Sequence, residues 1–80
     1  MITLEQLLNS IRIEADCIDI YSWNPQIWDN DDFWGFSDHP SKEFIFCEIG
    51  DAKNYIVKGI EVMETFDTTT QIRIEIQKPI

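Results

Sequence analysis

The chain is predicted to be an α+β domain, with one N-terminal amphipathic helix packed on a small, mainly antiparallel sheet of about four strands. Three observations predict it. Leu4, Leu7, Leu8, Ile11 and Ala15 recur at helical offsets and share one face. Ile72, Ile74 and Ile76 alternate with Arg73, Glu75 and Gln77, the pattern of a half-buried strand. The length of 80 residues admits one hydrophobic core, so residues 1–80 are a single domain.

The helix spans Thr3 to about Ala15, and its start is marked by Thr3 followed by Gln6, a capping-box pair in which each side chain satisfies a backbone N–H of the first turn. Cys17 to Tyr21 alternates in strand fashion, with Ile18 and Ile20 on one side and Asp19 and Tyr21 on the other. From Ser22 to Ser41 periodicity is lost, and Asn24-Pro25, Asn30, Gly35 and His39-Pro40 supply breakers, which predicts a long acidic, aromatic-rich loop between the first and second strands. All three tryptophans fall in it, together with Ile27, Phe33 and Phe36; this is too much apolar area to leave in water, and Trp23 is assigned to the core. Glu43 to Ile49 reads as a second strand, central because it is apolar on both faces, with the Trp-rich loop as its cover. Tyr55 to about Phe66 and Gln71 to Gln77 complete the sheet, joined by Asp67-Thr68-Thr69-Thr70.

Fifteen carboxylates against six Lys and Arg give a net charge of −9. Such a field repels nucleic acid and anionic membrane, so direct nucleic-acid binding is not expected and the partner it fits is a basic protein surface. The N-terminus lacks the cationic flank and apolar run of a signal peptide, and no stretch approaches the roughly 20 apolar residues of a membrane span, which predicts a cytoplasmic protein without membrane contact. In that compartment Cys17 and Cys47 read as small buried hydrophobes rather than a disulfide.

No catalytic constellation is found. The run Asp29-Asn30-Asp31-Asp32 suggests calcium, but with Asn30 at the first position of an EF-hand loop Trp34 would occupy the fifth and Ser41 the twelfth, where a bidentate Glu belongs. His39, Cys17 and Cys47 are too few and too scattered for structural zinc, and His39 beside Pro40 reads as a surface turn residue. With three glycines in the chain there is no G-x-G-x-x-G or P-loop, so neither metal nor cofactor is expected and the chain is read as non-enzymatic. The remaining signal is charge beside aromatics. Between Arg12 and Lys42 there is no cation, while Glu14, Asp16, Asp19, Asp29, Asp31, Asp32 and Asp38 all lie in that window. Trp28, Phe33 and Trp34 among these aspartates form a candidate contact patch, since aromatics dominate binding hot spots and charge steers the encounter.

In size and acidity, and in the stretch Ile27-Trp28-Asp29-Asn30-Asp31-Asp32-Phe33-Trp34, the chain resembles the small acidic inhibitors of phages and mobile elements, the anti-CRISPR and DNA-mimic proteins. The resemblance covers the whole chain in composition and rests on no shared motif. It implies inhibition of a basic nucleic-acid-binding protein or complex by occupation of its channel. Carboxylates on alternate strand residues repeat at about 6.8 Å, on the scale of phosphate spacing, so under this resemblance Glu43, Glu61 and Glu75 join the surface. Two other readings fit the same composition: an immunity-type inhibitor of a basic toxin enzyme, and a homo-oligomeric, at its simplest homodimeric, structural or assembly subunit.

Overall fold

The computed structural model describes residues 1–12, 14–64 and 69–79. It is an α+β fold in which helices α1 (Leu4–Ser10) and α2 (Lys42–Ile49) lie on one face of a sheet of four strands: β1 (Cys17–Asn24), β2 (Asp29–Phe36), β3 (Ile56–Glu64) and β4 (Thr70–Gln77). The spatial order is β2-β1-β4-β3. The β1–β2 and β3–β4 pairs are antiparallel, and the central β1–β4 pair is parallel. The end expected for the third strand at Phe66 and the turn residues Asp67 and Thr68 lie outside the described residues.

α1 begins as predicted. Thr3 Oγ1 accepts from Gln6 N–H at 3.1 Å and Gln6 Oε1 accepts from Thr3 N–H at 2.9 Å. It ends at Ser10 rather than near Ala15, because Ser10 Oγ bonds back to the Gln6 carbonyl at 2.6 Å and Ile11 is already extended. Leu4, Leu7 and Leu8 are buried, Ile11 is exposed, and Ala15 reaches the core from the segment between α1 and β1.

Two predicted elements are different in the structure. The expected loop is mostly a β-hairpin: β1 continues through Trp23 and Asn24, residues 25–28 form the turn, and β2 returns along β1. Asn24 Oδ1 accepts from Gln26 N–H at 2.9 Å and so builds the turn from the dipeptide Asn24-Pro25 that marks it. β2 shows no alternation because it is an edge strand whose first residues are exposed on both sides; pairing with β1 defines it, not burial. The predicted central strand at 43–49 is α2. Phe44, Ile45 and Phe46 favour strand, but the ends decide the outcome: Ser41 Oγ accepts from Phe44 N–H at 3.1 Å, and Gly50 N–H donates to the Phe46 carbonyl beyond the last turn. Ile45 and Ile49, one turn apart, then enter the core, while Phe44 and Cys47 are exposed. The two cysteines are thus free thiols, Cys17 half-buried and Cys47 exposed, not buried hydrophobes.

Gly50 opens a short 3-10 turn (Gly50–Asn54) at φ +57° and ψ −125°, a conformation that side chains disfavour, although a Cβ there would meet nothing within 4 Å. Gly50→Ala is therefore expected to cost roughly 1–3 kcal/mol through backbone strain alone, checked by urea denaturation; wild-type stability would show that the turn relaxes.

One cluster forms the core: Leu4, Leu7 and Leu8 of α1, Ile45 and Ile49 of α2, Ala15, Ala52, and Ile18, Ile20, Phe36, Ile74 and Ile76 of the sheet. Asp16 locks one end of this assembly. Its backbone N–H donates to the Thr70 carbonyl, its Oδ2 accepts from Thr70 N–H at 2.8 Å, its carbonyl accepts from His39 N–H, and its Oδ1 lies 3.1 Å from His39 Nε2. Among the described residues no helix is long and apolar enough to cross a membrane.

Candidate acidic and aromatic interface

The helices cover one face of the sheet only. The alternation that sends Ile18, Ile20 and Ser22 of β1 inward sends Asp19, Tyr21 and Trp23 outward onto the other face. Strand pairing sets Phe33 and Gly35 of β2, Arg73 and Glu75 of β4, and Gly59 and Glu61 of β3 alongside them. Trp23 is accordingly 37% exposed on this open face and not the core residue expected.

The centre of the open face is a linked polar cluster. Tyr21 Oη donates to Glu75 Oε1 at 3.5 Å, the Arg73 guanidinium carbon lies 5.6 Å from the Tyr21 ring centre, and Gln71 Nε2 donates to Asp19 Oδ2 at 2.6 Å. A shallow pocket of about 160 Å³, lined by Tyr21, Gly59, Ile60, Glu61, Arg73 and Glu75, sits beside it, and Arg73 Nε is buried without a hydrogen-bond partner among the described residues. Burial, and then the neighbouring Glu75 carboxylate, raise the Tyr21 pKa above 10.0, while Arg73 opposes the shift. A raised folded-state pKa favours the neutral phenol, so the contribution of Tyr21 to stability is complete below its ordinary pKa and is lost as pH rises through the folded one. Ultraviolet titration, with Tyr21→Phe subtracted, is expected to show a midpoint above 10.0 that falls in Glu75→Gln; an unmoved midpoint would contradict the role given to Glu75.

The hairpin forms the acidic edge. Trp28 is 80% exposed at φ +54° in the turn and meets Trp23 edge-to-face at 6.3 Å between ring centres. Asp29, Asn30, Asp31 and Asp32 follow, all exposed, and Phe33 is 55% exposed. A bulge between Ser22 and Trp23 leaves Asp31 without an opposite residue, and Asn24 Nδ2 donates to Asp31 Oδ1 at 3.0 Å. Among the described residues no ion pair involves Asp29, Asp31 or Asp32.

The structure does not gather all the candidates on one surface. Trp28, Asp29, Asp31, Asp32 and Phe33 are contiguous on the hairpin, and Glu61 and Glu75 lie across the open face from Phe33. Trp34 packs half-buried against the core on the helix-bearing face. Asp38 lies in the exposed segment after β2 at φ +60°, and Glu43 is in the first turn of α2. Asp19, Tyr21, Trp23 and Arg73 were not among the sequence candidates; the alternation of β1 and β4 contained them, but only the parallel pairing of those strands brings them together. Among the described residues no group of three or more His, Cys, Asp and Glu side chains is placed to hold a metal ion. No known protein family, curated protein or solved structure matches this chain.

Proposed function

We propose that this chain is a non-enzymatic cytoplasmic protein that binds a basic surface of a nucleic-acid-binding protein or complex and inhibits it, in the manner of anti-CRISPR and DNA-mimic proteins. The observation that carries this reading is the run Trp28 to Phe33, wholly exposed along a sheet edge and its turn, with aromatics at both ends and, between them, carboxylates that form no ion pair among the described residues. Carboxylates that are already solvated and hold no cation of their own cost little to bring to a cationic groove. The flanking rings supply the apolar area that turns a steered encounter into a stable contact.

The test immobilises the protein, passes nuclease-treated lysate over it and elutes with a salt gradient. Retention of a basic nucleic-acid-binding protein that elutes with rising salt and is displaced by added DNA or RNA is the expected result. A retained protein that nucleic acid does not displace would overturn the channel-occupying reading.

A further inference from the structure

The end of the sheet that carries the hairpin turn also carries the end of β4 and the start of β3, because β4 runs parallel to β1 and β3 returns against it. The β3–β4 ladder is bulged there: Val57 pairs with Ile76 and Gly59 with Glu75, so Lys58 has no opposite residue. A bulge re-aims a side chain. Here Lys58 and Lys78 line one pocket of about 330 Å³, together with Met1, Ile56, Gln77 and Pro79. The lining is largely apolar and contains no carboxylate, and neither lysine forms an ion pair among the described residues. In a chain of net charge −9 this is a cationic corner. Gln77 and Lys78 also line a neighbouring pocket of about 240 Å³, whose other wall includes Asn24, Pro25 and Asp31 of the hairpin. Hairpin and corner therefore share one end of the sheet and occupy its two sides, the hairpin on β2 and β1, the corner on β4 and β3.

The two features complement each other. The hairpin presents an exposed ring, Trp28, beside the exposed carboxylates Asp29, Asp31 and Asp32, and the corner presents an apolar pocket between two lysines. Within one copy they lie side by side. A second copy placed end to end, and related by a twofold axis normal to the sheet, exchanges the two sides and brings each hairpin to the other copy's corner. A twofold axis in the plane of the sheet, across the strands, would set hairpin on hairpin and carboxylate on carboxylate. We infer that this end of the sheet docks on a second copy of this chain, the acidic hairpin of each copy seating on Lys58 and Lys78 of the other with Trp28 against the apolar pocket. Two charge-complementary contacts form and the symmetry closes at a dimer. The other pocket lined by two cations, Arg12 and Lys42, lies at the opposite end of the sheet, beyond the bond of His39 to Asp16, and Glu14 already holds Arg12 at 2.9 Å. Docking there would run head to tail without closing. Dimerisation covers the hairpin, so self-association and binding of a basic partner exclude each other. That consequence rests on the proposed function; the docking itself rests only on the exposure and charge of the hairpin.

Sedimentation of the purified chain in about 0.15 M salt, from about 10 μM to about 1 mM, is expected to show the mass rise from 9.4 kDa toward twice that value and no further. K58E/K78E should stay at 9.4 kDa, because its corner repels the acidic hairpin. D29K/D32K should stay there too, because its hairpin repels the basic corner, while Asp31 keeps its bond to Asn24. An equimolar mixture of these two variants should recover the dimer, since each hairpin then meets a corner of opposite sign. The milder K58Q/K78Q should raise the dissociation constant roughly tenfold. All four positions are exposed, and a circular dichroism spectrum checks the fold of each variant. A mass fixed at 9.4 kDa, a mass that passes twice that value, a dimer indifferent to K58E/K78E or K58Q/K78Q, or a mixture that stays monomeric would each overturn the inference. No partner is present in this experiment, so its failure leaves the proposed function intact.

Discussion

Ile20→Ala is expected to unfold a large fraction of the protein at room temperature, whereas Ile60→Ala, the same chemical change on the same sheet, should leave the monomer unaffected. Ile20 is fully buried in β1, paired with Trp34 on one side and Ile74 on the other, at the centre of the only core cluster among the described residues. Removing its branched side chain loses the burial of those atoms and leaves a cavity that paired strands cannot collapse to fill, together about 2–5 kcal/mol. A domain of this size has roughly 3–5 kcal/mol to lose. Ile60 is half-exposed on edge strand β3, and its truncation should cost less than about 0.5 kcal/mol. Urea denaturation followed by circular dichroism at low protein concentration separates the two. Equal losses would mean that β3 is covered in the monomer, and this would contradict the exposure of Ile60.

Neutralising the hairpin is expected to produce the largest change in binding. D29N/D31N/D32N removes three of the fifteen carboxylates and preserves their size and their capacity to accept hydrogen bonds, including those from Asn24 and the Asn30 backbone. All three are exposed and form no ion pair among the described residues, so stability should be unchanged. Against the basic protein retained in the capture experiment, affinity at low salt should fall roughly tenfold or more, mostly through a slower association rate, and the dependence of affinity on salt should flatten. Trp28→Ala should act differently, by speeding dissociation with little effect on the salt dependence, because the 80% exposed ring contributes contact area and no charge. If the triple variant binds with wild-type affinity and salt dependence, the hairpin carboxylates are a solvated edge only, and the interface lies elsewhere.

Burial and local chemistry are written along the chain, and they were enough for the fold class, the capping box at Thr3 and Gln6, the alternating strands β1 and β4, and the acidity of the segment after β1. They failed where an element is held by something other than one buried face. β2 is exposed at its start and exists because β1 pairs with it, so its periodicity is absent and its breakers Asn24 and Pro25 read as a loop. α2 is composed of strand-favouring residues, and Ser41 and Gly50, two capping positions outside the apolar run, make it a helix. The contact of Asp19 and Tyr21 with Arg73 and Glu75 across a parallel pair spans more than fifty positions of sequence, a separation at which no local pattern carries information. Residue order alone specifies which side chains want burial and where the charge lies. Which strands become edges, and which polar side chains share the open face, follows from strand pairing, because pairing is set by the packing of the whole core and not by any segment within it.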